Sequence, residues 1–490
     1  MVDTDKNPTR KQVMAFLDEY FENKIELHTW YPPDFNPNPP FVNNIKDPRL
    51  KQFAKDLIGI WPKLGRKVSP DVEKNPNQYS FIYVPKGFIV PGGRFKELYY
   101  WDSYWIIRGL LICNMKKTAR GMIENFFHLV NELGYIPNGS RKYYLGRSQP
   151  PFLAWMVADY FTEIEDQTWL KHNIATLEKE LQYWLERKTI TVEINRYKYR
   201  LLRYASDKSV TGPRPESYYE DYTYGKTVPL PQRQKFYTEI KTAAESGWDF
   251  SSRWFVSSGK NPNFNMTDIK TSQILPVDLN SVFAGALQKM GDLKNKVDGY
   301  KSANVWWKLA EQWRHAIENV MWDTEDGVWY DYDIITKLRR KHFYLSCAAP
   351  LWASAIEPWL ATDRARAFIK YLRSTGALQF PGGVPTSLRH TGEQWDYPNA
   401  WPPLQAMLIG GLEKSEYIEA KRLAKQLVKI WITANYIGYK KHQKMFKKYT
   451  CSNPGEYGGG GEYEVQTGFG WTNGYVLELL RRYGDELEFE

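Results

Sequence analysis

The run Pro91-Gly92-Gly93-Arg94-Phe95-Lys96-Glu97-Leu98-Tyr99-Tyr100-Trp101-Asp102-Ser103-Tyr104-Trp105 concentrates groups that bind and react. Two glycines deliver a guanidinium, and aromatic rings interleaved with two carboxylates follow at once. Flat rings cover the apolar faces of a sugar, while carboxylates and guanidinium forks hold its hydroxyls. The segment therefore predicts a pocket for a polyhydroxylated, uncharged ligand. The same mixture recurs in Glu393-Gln394-Trp395-Asp396-Tyr397-Pro398-Asn399-Ala400-Trp401-Pro402-Pro403 and between Gly458 and Gly474. Together they describe a carbohydrate site.

Further groups suit the same chemistry. Asp249 lies between Trp248 and Phe250. Such flanks desolvate a carboxyl, raise its pKa and fit it to donate a proton near neutrality. The alternative is a helix N-cap, because Asp ahead of Ser251-Ser252 could open a helix. Arg94, Arg147 and Arg214 each stand beside Gly or Pro, which favours a preorganised fork, although a structural ion pair on a loop uses the same arrangement. Gly458 to Gly461 followed by Glu462 lacks the Lys-Ser/Thr ending of a phosphate-binding loop. It reads instead as a lid that presents Glu462 to a sugar.

Helices must position these groups. Ile174, Leu177, Leu181, Trp184 and Leu185 make one apolar stripe, and Trp306, Leu309, Trp313, Ile317 and Val320 another. Residues 361–374 and 412–435 predict two more helices. The turn Asp323 to Gly327 leads into a short strand from Val328 to Tyr330, and a hairpin is expected between Ile190 and Leu202. The chemical segments fall in loops between these elements, at 91–104, 135–149, 211–217, 244–254, 393–403 and 454–474. Helices along the whole length, with polar loops converging from every part of it, predict one toroid with the site at a mouth. Residues 1–44, with their Pro-rich stretch Pro32 to Pro40, are expected to form an extended arm, and 45–490 a single domain.

Composition narrows the class. The 490 residues include 20 Trp, 34 Tyr and 23 Phe, more rings than a core requires, so many must line a groove. Net charge is +10, but the basic residues form only short patches, Lys440 to Lys448 and Lys337 to Lys341, with no nucleic-acid module. A solvated helix face accounts for them, and no nucleic-acid partner is expected. Cys113, Cys347 and Cys451 are too few for a disulfide framework, and no metal-ligand spacing occurs among the seven histidines. No run approaches the ~18 apolar residues of a membrane helix. The polar start Met1 to Lys6 has no signal-peptide core, so the chain as written is expected in the cytosol.

These segments resemble the trehalase family of glycoside hydrolases. Pro91 to Tyr104 is similar to its first signature, Gln394 to Pro403 to its second, and Gly458 to Glu462 with Gly468 to Gly474 to its C-terminal stretch. The resemblance spans roughly residues 45 to 480. It implies an all-α fold, an (α/α)6 barrel with a loop-borne active site and a few short β-hairpins. It also implies hydrolysis of the disaccharide α,α-trehalose to two glucoses with inversion, without metal or cofactor, and a secreted or membrane-tethered location. By motif, Asp249 resembles the general acid. Arg94, Trp101, Asp102, Asn138, Arg147, Ser148, Gln149, Arg214, Pro215, Glu216, Gly247 and Glu462 resemble sugar-binding positions. The sequence departs from the pattern at the general base. The family's Glu lies about fifteen residues before the Glu that follows the glycine run, and counting back from Glu462 reaches Lys447. An ammonium is no base near neutral pH, and neighbouring carboxylates raise its pKa. Glu456 is the other carboxylate within reach, if the loop were rerouted.

Overall fold

Local spacing sets the helices. In the computed structural model, residues 9–22, 24–256, 265–461 and 468–489 are described. Ile174, Leu177, Leu181 and Trp184 form the buried face of helix Gln167–Arg187, which opens where the Asp166 carboxylate accepts the Trp169 N–H. Trp306, Trp313, Ile317 and Val320 do the same for helix Tyr300–Met321. Helix Ala361–Thr375 ends at Gly376, whose φ of 74° is the left-handed stop. Residues 412–435, expected as one helix, belong to two, Pro402–Lys414 and Ile418–His442. The Ser415 hydroxyl accepts the Tyr417 N–H and so competes with the helical bond. The apolar spacing runs on across the break because the two helices fold back and pack together.

The strands are short, as the sequence predicts. Thr189–Ile194 and Tyr197–Leu202 pair antiparallel with Ile194 opposite Tyr197. Asn195 and Arg196 between them both have positive φ, 51° and 68°, the pattern that matches the twist of a two-residue hairpin. Trp322–Asp323 and Val328–Trp329 form a second hairpin across the turn at Gly327.

Six helices make an inner ring: Asp102–Ile112, Leu153–Ile164, Val277–Asp298, Ala349–Trp352, Pro402–Lys414 and Gly470–Tyr483. Each contacts the next, and the last contacts the first, which closes an (α/α)6 barrel. Inner helices are apolar or small nearly all round; in Val277–Asp298 every residue from Val277 to Leu287 is buried. The ring closes tightly where a Cβ on Gly109 would lie 2.6 Å from the Gly474 Cα. A side chain at Gly474 would in turn meet the Trp105 carbonyl at 2.2 Å, so these two helices meet backbone to backbone. The outer layer is Lys116–Leu133, Gln167–Arg187, Tyr300–Met321, Ala361–Thr375 and Ile418–His442. Helix Pro48–Ile58, from the start of the chain, completes it against Gly470–Tyr483.

The N-terminal segment is not extended throughout. Arg10–Tyr20 is a helix opened by a Thr9–Gln12 capping box, with no buried residue. Leu27–Thr29 pairs with Gly65–Val68, and Phe41 and Val42 are buried beside Gly470–Tyr483 and Pro48–Ile58. Among the described residues no helix is long and apolar enough to cross a membrane. No group of three or more His, Cys, Asp or Glu there could hold a metal. The inner helices beginning at Asp102, Leu153, Pro402 and Gly470 follow or begin within the polar-aromatic loops, which places those loops at one mouth of the barrel.

Candidate functional site

A cavity at that mouth is lined from every loop in turn. Phe95, Tyr99, Trp101 and Asp102 come from the first motif, and Asn138, Tyr144, Arg147 and Gln149 from the second loop. Arg214, Glu216, Ala244, Gly247, Asp249, Trp395, Lys447, Phe469 and Trp471 complete the wall. Hydrogen bonds lace the loops together. The Tyr100 N–H donates to the Asn138 carbonyl, the Asn138 N–H to the Arg147 carbonyl, and the Trp101 N–H to Gln149 Oε1 at 3.1 Å.

The segment carrying Asp249 is fixed from both sides. Gly247 turns it with φ 77°, and a Cβ there would lie 2.8 Å from the Trp101 indole. Beyond Asp249, the buried Asp396 carboxylate accepts from Ser251 Oγ, the Ser252 N–H and hydroxyl, Ser387 Oγ and Thr391 Oγ1. Arg253 is buried and bridges Asp278 and Asp331 with four bonds of 2.7–2.9 Å. The N-cap of the turn that follows is Ser251, whose Oγ accepts the Arg253 N–H. Asp249 is thus left to the cavity instead of a helix end.

Arg147 pairs with Glu216, and its guanidinium lies 5.1 Å from the Tyr144 ring centroid. Arg214 is held by Asp221 at 2.7 Å and lies over Phe250. Both forks are therefore preorganised by carboxylates before any ligand arrives. Aromatic rings back the wall. Trp248 stacks on Trp395 and Trp395 on Trp401, the latter pair 3.7 Å apart and nearly parallel, while Trp101 packs at 5.8 Å from Trp395 and 5.7 Å from Trp471.

Burial governs the charges. Asp102, 7% exposed, is pushed up to about 7, because burial outweighs the opposing pull of Lys447. Asp249 is raised as well, again by burial, with Lys447 and Arg214 acting against the shift. Lys448 is pushed down to about 7 by burial and by Lys447 beside it; its ammonium donates to Gln394 Oε1 and the Gly460 carbonyl at 3.2 Å each. Lys447 Nζ lies 4.5 Å from the Phe95 ring centroid and 5.4 Å from that of Trp401.

Several residues named from the sequence lie elsewhere. Arg94 is exposed on the Gly92–Phe95 turn and does not line the cavity. Ser148 is buried behind the wall, its N–H donating to Glu245 and its hydroxyl to the Ile136 carbonyl. Pro215 is exposed at the first position of a short 3-10 turn. Glu456 is paired with Lys441 and His442 and is not among the lining residues. Glu462 lies outside the described residues. The glycine run before it is tied down by Gly458 N–H to the Lys448 carbonyl and by Asn399 to the Gly459 carbonyl. The rings of Phe95, Tyr99, Tyr144, Trp395, Phe469 and Trp471, and the small Ala244, were not singled out from the sequence as site residues. The rings' only signal was aromatic density within the same loops, which a core residue shares.

Comparison with known proteins gives a consistent set of likenesses. The family model described as trehalase matches residues 2–484. A Bombyx mori trehalase is 48% identical over 483 residues, covering 98% of this chain and 83% of that protein. The Homo sapiens trehalase is 44% identical over 479 residues, covering 98% and 81%. Among solved structures, the neutral trehalase Nth1 from Saccharomyces cerevisiae superposes with a TM-score of 0.63 at 22% identity, over 85% of this chain and 81% of that one, a likeness of fold.

Proposed function

The chain belongs to the trehalase family of glycoside hydrolases, and on that premise we propose that it binds α,α-trehalose and cleaves it to two glucoses with inversion, Asp249 serving as the general acid. The observation that carries this reading is the convergence on one cavity of Asp249, Asp102, two carboxylate-braced arginines and a wall of indoles. A neutral disaccharide needs that combination, with rings for its faces and forks for its hydroxyls. Trp101, Asp102, Asn138, Arg147, Gln149, Arg214, Glu216 and Gly247 are the proposed sugar contacts. The cavity measures about 70 Å³, enough for a few waters at ~10–15 Å³ each.

In the proposed reaction the Asp249 carboxyl gives its proton to the glycosidic oxygen as the bond to the anomeric carbon breaks. Its raised pKa supports that role, since the proton is retained toward neutrality. Inversion then requires a water on the opposite face and a carboxylate to take its proton, the two carboxyls roughly 6.5–9.5 Å apart. Lys447 stands at the position that the family resemblance gives to that base, and its ammonium cannot accept the proton. It also pulls the Asp249 pKa down and places positive charge beside an oxocarbenium-like centre. All three effects slow turnover.

A second reading follows from the same residue: a sugar-binding protein on the hydrolase scaffold that cuts its ligand slowly or not at all. Glucose release by the chain and by Lys447→Glu, across pH 4 to 8, separates the two. Loss of a general base costs ~10²–10⁴ in rate, so the variant is expected to be faster by that order. Equal rates would remove Lys447 from the base position.

A further inference from the structure

A larger cleft lies behind the loop that carries Arg147 and Gln149. Its volume is about 890 Å³, within the ~300–1,000 Å³ range of small-molecule sites and far above the first cavity. Tyr135 and Tyr183 line it, their rings stacked 4.9 Å apart and inclined by 16°. Around them stand Lys179, Gln182, Glu186 and Arg187 from the outer helix Gln167–Arg187. Among the described residues these four side chains make no hydrogen bond or ion pair with the protein. Solvent-facing donors and acceptors thus surround an aromatic surface.

Charge points to the ligand class. Lys179 and Arg187 are offset by Glu186 and Asp207 on the same wall, and the third cation, Lys188, is already paired with buried Glu245 at 2.5 Å. A site balanced in this way has no preference for a strongly charged ligand. Tyrosine faces with an amide, a carboxylate and a guanidinium around them suit ring C–H groups and hydroxyls. We propose that this cleft is a second binding site, for a neutral saccharide, back to back with the first cavity.

The two sites share a wall. Leu145 and Gly146 line the cleft, while Arg147 and Gln149 line the first cavity. Tyr135 Oη accepts the Gly146 N–H at 2.8 Å. Glu245, which receives Lys188, also accepts the Ser148 N–H at 2.8 Å, and its chain continues through Gly247 to Asp249. A sugar on Tyr135 and Tyr183 would therefore lie against the segment that carries Arg147 and Gln149 into the other site.

Calorimetric titration of the full chain with D-glucose and with α,α-trehalose tests this. The expected result is two sites per chain. One is weakened at least tenfold in the double variant Gln182→Ala/Arg187→Ala, whose exposed side chains are dispensable for packing, and in Tyr183→Ala. The other is weakened by Trp101→Ala and survives the cleft variants. Saccharide binding left unchanged by both cleft variants, or abolished entirely by Trp101→Ala, overturns the second site. In the unmutated chain, absence of saccharide at the Trp101 site with the cleft occupied contradicts the proposed hydrolase reading and leaves the cleft standing.

Discussion

Replacing Asp102 with Asn tests how this cavity treats a carboxylate. The ordinary value of 3.8 rises to about 7 because the group is buried, and Lys447 offsets only part of that. Between those two values the folded chain keeps a proton that the unfolded chain has lost. Stability due to this group is therefore greatest below pH 3.8, falls as pH rises, and reaches its full loss above about 7. Roughly three units at 1.36 kcal/mol each amount to ~4 kcal/mol, of which ~3 kcal/mol lies between pH 4.5 and pH 8. Asn matches the protonated acid in shape and does not titrate. Denaturant unfolding of both chains at pH 4.5 and pH 8 should show the variant gaining about 3 kcal/mol on the parent at the higher pH. Glu180, also raised to about 7 by burial, is common to both chains and cancels. A gain below ~1 kcal/mol would mean that water or Lys447 compensates the ionised carboxylate in the folded chain, and the burial argument would be wrong. Adding Lys447→Gln should enlarge the difference, since it removes a cation that holds Asp102 down.

Asp249→Asn should abolish hydrolysis while sugar affinity stays within a few fold; retained turnover in a glucose-release assay removes Asp249 from the acid role. Arg253→Met leaves Asp278 and Asp331 buried without their cation and should cost ~3–5 kcal/mol in denaturant unfolding. A loss under 1 kcal/mol would show that the bridge is not what holds the Asp249 segment. Gly247→Ala forces a left-handed residue, at ~1–2 kcal/mol, and pushes a methyl into Trp101. Its sugar affinity should fall about tenfold or more by titration, and an unchanged Kd would mean that Trp101 does not contact the ligand.

What the sequence settled by itself was local. Helix extents follow from side chains three and four residues apart, so the stripes at Ile174–Trp184 and Trp306–Val320 were legible without any partner. The Ile190–Leu202 hairpin was legible too, and in it Asn195, a residue suited to the left-handed region, opens the two-residue turn. The loops rich in rings, carboxylates and guanidinium forks were also visible, since residue type fixes what a side chain can bind. The break at Ser415–Tyr417 was not, because the same apolar spacing serves one long helix or two that fold back on a shared core.

Membership of the cavity was decided only in three dimensions. Arg94, Ser148 and Pro215 stand within a few residues of lining groups, yet the first is exposed on a turn, the second faces Glu245 and the third sits on a helical turn. Nothing local distinguishes them from Arg147 or Gln149. Likewise, the environment of Lys447 is made by Asp102, Asp249 and Phe95, hundreds of residues away in the chain. Ring closure between Gly109 and Gly474 brings the first and last inner helices together, and burial then sets the acidities of the groups trapped at the mouth. A side chain's type is written in the sequence, but its dielectric surroundings and neighbours belong to the whole barrel, because desolvation and charge act through space and not along the chain.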